Sequence, residues 1–165
     1  MIDSQIHVFA PHEPEHPWSP TVLHGELYAG MRGRYAGRSA RPAEVLAALD
    51  EHGVHGAVLV SPAVYGHDIS YSLEAYELAP DRFRVVGLVD AARDDVEDAV
   101  AAWAAHPAAV GIRLNLWADE AVARFFEGAD DRVLAAAQRS RLCACVNSPG
   151  RFGVFERIAR RFDSL

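Results

Sequence analysis

Cysteine is scarce, with two in 165 residues, Cys143 and Cys145. They stand two apart in an apolar run, so on a strand they share one face along one chain, a poor geometry for a disulfide. The expectation is two small buried apolar side chains, with no further ligands nearby for a metal or redox role. Long apolar runs are missing too. The longest, such as 56–60 and 85–89, fall far short of the roughly 20 residues that span a bilayer. Basic charge is in deficit, 16 Lys and Arg against 23 Asp and Glu, for a net charge of −7. That balance argues against a nucleic-acid or anionic-membrane surface. The opening Met1-Ile2-Asp3-Ser4-Gln5 has neither the basic region nor the apolar core of a signal peptide, so the cytoplasm is the expected compartment. A Gly-rich phosphate loop, a nucleophile elbow and a Cys–His pair are all absent. No low-complexity tract or linker divides the chain, and one domain over 1–165 is expected.

What is present is an alternation of short apolar runs with helical patterns. Strands are predicted at 2–8, 56–61, 83–89, 109–116 and 142–147. Helices are predicted at 42–52, 69–78, 94–105, 131–140 and 153–162. Pro42 opens the first of these and Gly53 closes it, and Asp68 is placed to cap the second. Five βα units in this order imply parallel strands with helical crossovers. The long irregular stretch 9–41, carrying His12, His16, His24, Pro17, Trp18 and Pro20, reads as a lid-like loop stiffened by its prolines.

Two architectures accommodate five such units, an open doubly wound sheet and an incomplete (β/α)8 barrel, whose usual size is about 250 residues. The strand faces favour the barrel. Asp3, Gln5 and His7 share one face of the first strand, Arg113 and Asn115 one face of the fourth, and Cys143, Cys145 and Asn147 one face of the fifth. A doubly wound sheet reads apolar on both faces, whereas a barrel with a site at its C-terminal mouth puts polar groups inside. After the last helix only Asp163, Ser164 and Leu165 remain where a sixth strand should follow. The expected fold is therefore α/β, a partial (β/α)8 TIM barrel of about five βα units whose C-terminal strands are missing or supplied by another chain.

Gln5 and His7 project from the same side of a strand. Two histidines at that spacing grip one divalent ion, but a glutamine amide is a poor zinc ligand. His7 alone is equally read as an interior histidine bonded to Asp3 or to a backbone carbonyl. Arg113 can hold a substrate carboxylate through two parallel hydrogen bonds, or form a salt bridge, for instance with Asp90. Asn115 and Asn147 can orient a substrate oxygen or cap loops. Trp18 on the lid, and Tyr65 and His67 after the second strand, are further candidates for substrate binding.

The run Ile2-Asp3-Ser4-Gln5-Ile6-His7-Val8-Phe9 resembles the first-strand Asp-x-His-x-His motif of the amidohydrolase-2 family of TIM-barrel metal-dependent hydrolases and lactonases. Residues 49–62, Tyr65-Gly66-His67-Asp68-Ile69-Ser70-Tyr71, Ala79-Pro80-Asp81-Arg82-Phe83, Val86-Gly87-Leu88-Val89-Asp90 and Gly111-Ile112-Arg113-Leu114-Asn115 are similar to successive later parts of that family. The likeness covers nearly the whole chain and corresponds to the N-terminal part of the family barrel. It implies a hydrolase that opens a small carboxylated or sugar-derived lactone or ester by adding water. The alternatives are a decarboxylase of the same family and a truncated, non-catalytic α/β module. It implies His7 as catalytic residue and ligand of one divalent metal, zinc or manganese, and Arg113 as the substrate-carboxylate anchor. Gln5 departs from the first motif histidine and points to a metal-free or weakly metal-binding branch, with Gln5 left as a substrate contact. The water-activating base is expected on strands beyond this chain, so residues 1–165 alone are expected to be inactive. The expected partner is a small-molecule substrate, with neither nucleic acid nor membrane, and a homo-oligomer is allowed.

Overall fold

Proline and glycine punctuate the chain into strands and helices much as the sequence pattern demands. The computed structural model describes residues 1–165. The strands are β1 (Ile2–Ile6), β2 (Gly56–Val60), β3 (Phe83–Leu88), β4 (Ala109–Asn115) and β5 (Cys143–Asn147). The helices are α1 (Pro20–His24), α2 (Ala29–Tyr35), α3 (Pro42–Glu51), α4 (Ser70–Leu78), α5 (Val96–Ala104), α6 (Asp119–Phe126), α7 (Asp131–Arg139) and α8 (Phe152–Arg161). The strands form one sheet in the order β1-β2-β3-β4-β5, and β1–β2 and β4–β5 pair in parallel, as helical crossovers require. The fold class is α/β, a partial (β/α)8 barrel of five βα units. No helix is long and apolar enough to cross a membrane.

The chain divides into two compact units, Met1–Val85 and Val86–Leu165. In the first, α3 starts at Pro42, and the Arg41 backbone N–H donates to Glu44 at 2.8 Å. Val45 and Leu49 form its buried stripe, at the helical four-residue spacing. Gly53, at φ +64°, ends the turn in a conformation that a side chain resists. β2 is buried almost throughout. β1, at the sheet edge, is exposed over most of its length, and its register against β2 shifts between Asp3 and Ile6.

The segment after β1 is more ordered than a loop. It leaves at Phe9 and returns at Ala40, and these two residues exchange both backbone hydrogen bonds, at 3.0 and 2.8 Å. Between them lie α1 and α2, two short helices that lack strong periodicity. Arg32 holds them together by donating to the carbonyls of Val22 and Gly25, at 2.8 and 2.6 Å.

In the second unit, β4 is the strand with the deepest centre, its residues Gly111 to Leu114 being buried. Trp103 of α5 donates from Nε1 to the Gly111 carbonyl at 2.9 Å, tying helix to strand. Ala136 and Ala137 of α7 are buried with Val133 and Leu134. The expectation of two buried cysteines fails: Cys143 is exposed and Cys145 half-buried, because β5 is a sheet edge with no strand beyond it. Helix α6 had no counterpart in the sequence reading. Asp68 is not the cap expected of it: α4 begins one residue later, with Ile69 at the cap position and no side-chain capping bond, and Asp68 before it accepts the Ser70 N–H at 2.9 Å.

Candidate functional site

In the first unit, His7 follows β1 and turns its ring onto the end of β2. His7 Nδ1 lies 2.6 Å from the carbonyl oxygen of Val60. A carbonyl only accepts, so Nδ1 carries the proton, and in the neutral ring Nε2 is the acceptor nitrogen. This geometry matches the backbone-carbonyl alternative considered for His7. Asp3 is engaged elsewhere, its Oδ1 accepting the Gln5 backbone N–H at 2.9 Å. The Gln5 side chain is exposed.

Trp18 and Tyr65 are both buried, at 6% and 7% exposure. They meet on the backbone of a single residue, Ala10. The Ala10 N–H donates to Tyr65 Oη at 2.8 Å, and Trp18 Nε1 donates to the Ala10 carbonyl at 3.1 Å. Burial pushes the Tyr65 phenol up to about 12 against the opposing effect of the Ala10 N–H, because an apolar surrounding disfavours the phenolate. The segment after β1 is also held by the Ser19 N–H on the Val64 carbonyl at 2.8 Å and by the Glu13–Arg41 ion pair at 3.0 Å. The Arg41 guanidinium is held in its charged form by hydrogen bonding and charge from Glu13, with a smaller contribution from Tyr71. His12 Nδ1 accepts the Trp18 N–H at 3.0 Å, and the His16 ring packs 4.2 Å from that of Tyr71. His67 is exposed on the turn before α4.

Sequence reasoning passed over Glu13, Arg41 and Tyr71, whose partners are distant in the chain. It also passed over Ser61, a buried hydroxyl directly after β2 that donates to Ser72 at 3.0 Å. A serine closing an apolar strand just before proline was the available signal for it.

In the second unit, the alternation of β4 and the register of β5 bring three predicted residues together. Asn115 stands opposite Asn147, and Arg113 opposite Cys145. Arg113 is 8% exposed. Its Nε donates to Asn115 Oδ1 at 3.0 Å, and Asn147 Nδ2 donates to the same oxygen at 3.4 Å. Next to them the Ser148 hydroxyl donates to the Leu116 carbonyl at 3.1 Å. The result is a buried cation on a strand's C-terminal end, oriented by an amide.

The metal implied by the family motif needs several donors within reach of one another. No group of three or more His, Cys, Asp or Glu side chains stands where it could hold a metal ion. His7 offers one ligand, with Gln5 in place of a second, whereas zinc sites draw at least three from protein. The residues of this chain do not fit a metal centre.

No family model and no curated protein matches the chain. Solved structures do. An amidohydrolase from Burkholderia multivorans, crystallised with bound zinc, superposes with a TM-score of 0.73 at 18% identity, over 99% of this chain and 54% of that one. A probable 2-pyrone-4,6-dicarboxylic acid hydrolase from Acinetobacter baumannii, with citric acid bound, superposes with a TM-score of 0.67 at 22% identity, over 92% of this chain and 50% of that one. The chain therefore spans about half the length of these structures. At such identities the likeness is one of fold, and this chain folds as part of a (β/α)8 barrel.

Proposed function

We propose that the chain belongs to the amidohydrolase-2 family and serves a hydrolase that opens a lactone or similar ester of a small carboxylated compound by adding water. The observation that carries this reading is Arg113, a buried guanidinium at the C-terminal end of β4 with its plane fixed by Asn115. A guanidinium so placed suits bidentate capture of a carboxylate. The fold is shared with a probable dicarboxylic acid hydrolase. His7, its Nδ1 hydrogen-bonded to the Val60 carbonyl, is the group proposed to polarise the carbonyl under attack. Trp18 and Tyr65 set the lid, and Gln5 and His67 are exposed polar groups proposed to contact substrate.

The test is calorimetric titration of citrate, a tricarboxylate probe, into chain 1–165, followed by a lactone panel assayed with and without zinc or manganese. Arg113→Ala is expected to weaken citrate binding about 10- to 100-fold, the range of a lost charge-assisted pair. Unchanged citrate affinity would sink the carboxylate reading. Any lactone turnover should fall in His7→Ala, and release of carbon dioxide in place of a ring-opened acid would reassign the reaction to decarboxylation.

A further inference from the structure

We infer that Asn115 is a positioning residue that acts through Arg113, with Asn147 as its second anchor. This inference rests on the reading of Arg113 as a carboxylate anchor. The Asn115 amide oxygen has two lone pairs, and two donors fill them: Arg113 Nε at 3.0 Å and Asn147 Nδ2 at 3.4 Å. Arg113 and Asn115 lie two apart on β4 and therefore on one face, while Asn147 faces Asn115 across the parallel β4–β5 register. A single oxygen thus ties the guanidinium to both strands. Its grip on Nε fixes the rotation of the guanidinium plane, which sets the direction from which a carboxylate meets the fork. An arginine ordered in advance need not be ordered by its ligand. With its oxygen committed in this way, Asn115 acts on the cation through that oxygen. The longer Asn147 bond makes Asn147 the weaker of the two anchors.

A double-mutant cycle on chain 1–165, with citrate as the probe, tests this. Asn115→Ala is expected to weaken citrate binding about 5- to 10-fold in the natural background, and less than about twofold in Arg113→Ala. An equal loss in both backgrounds would overturn the inference, because Asn115 would then touch the ligand itself. Citrate binding insensitive to Arg113→Ala would instead remove the carboxylate reading and leave the positioning to a second measurement. That measurement is the Nε–H proton resonance of Arg113, expected to exchange slowly with solvent and to lose this protection in Asn115→Ala. Protection unchanged by the substitution would refute the positioning role directly. Should Asn115→Ala fail to fold, Asn147→Ala serves in its place, with a shifted Arg113 resonance and about a twofold loss of citrate affinity expected. Neither change appearing would likewise overturn the inference.

Discussion

Ala10 shows how much a single residue's surroundings escape a reading of sequence. Its N–H is held by Tyr65, 55 positions away, and its carbonyl by Trp18, eight away. Strand alternation made the polar face of Gln5, His7, Arg113 and Asn115 legible, because period-two geometry is local. The partners of those side chains were not legible. His7 meets a carbonyl 53 residues on, and no pattern in a sequence announces a backbone acceptor. Tyr65→Phe removes the acceptor of a buried N–H, so a loss of about 1–3 kcal/mol is expected in urea unfolding. The same phenol carries a pH signature. An unfolded tyrosine ionises near pH 10, whereas Tyr65 keeps its proton to about 12. Between those values the unfolded chain holds fewer protons than the folded one, so stability falls as pH rises. Stability should therefore be level below about pH 10 and decline from there toward about pH 12, and the decline should be shallower in Tyr65→Phe.

Among the elements, those with strong periodicity were legible and those held by distant bonds were not. Helices α3, α5 and α7 follow their apolar spacing. Helices α1 and α2, of five and seven residues, are too short to stand on propensity, and they persist because Arg32 caps the carbonyls between them. Two glycines carry tests at this scale. Gly66, at φ +64°, lies on the turn that meets Ser19, and an added Cβ would sit 3.1 Å from Ser19 Oγ. Gly66→Ala should cost about 1–3 kcal/mol through backbone strain. Ser19→Gly should recover only the part owed to the contact, as read in paired urea melts. Gly111 allows β5 to lie close to β4: an added Cβ would meet Cys143 Sγ and stand 2.8 Å from the Cys143 carbonyl oxygen. Gly111→Ala should therefore weaken this pairing by about 1–3 kcal/mol, with increased amide exchange across residues 143–147. Exchange unchanged there would show that the strands can part without cost.

For the molecule as a whole, the succession of strands and helices was enough to indicate a parallel sheet and a partial barrel. The division into Met1–Val85 and Val86–Leu165 was not legible, since it falls inside β3 and no linker marks it. The sheet ends on β1 and β5, and β1 presents Ile2 at 67% exposure. An exposed apolar edge strand invites pairing with another chain. Sedimentation velocity should show association that grows with concentration and is suppressed by Ile2→Lys; association indifferent to that charge would place the contact elsewhere. The reciprocal backbone bonds between Phe9 and Ala40 have an evolutionary consequence. Residues 10–39 depart and return at one point, so beyond the anchors that Ala10 and Ser19 make to Tyr65 and Val64 their number does not bear on the sheet register. Loop closure costs only about 0.6 kcal/mol more for each doubling of length. Past Ser19 that excursion is thus free to lengthen or shorten among related chains while the frame that carries it keeps its alignment.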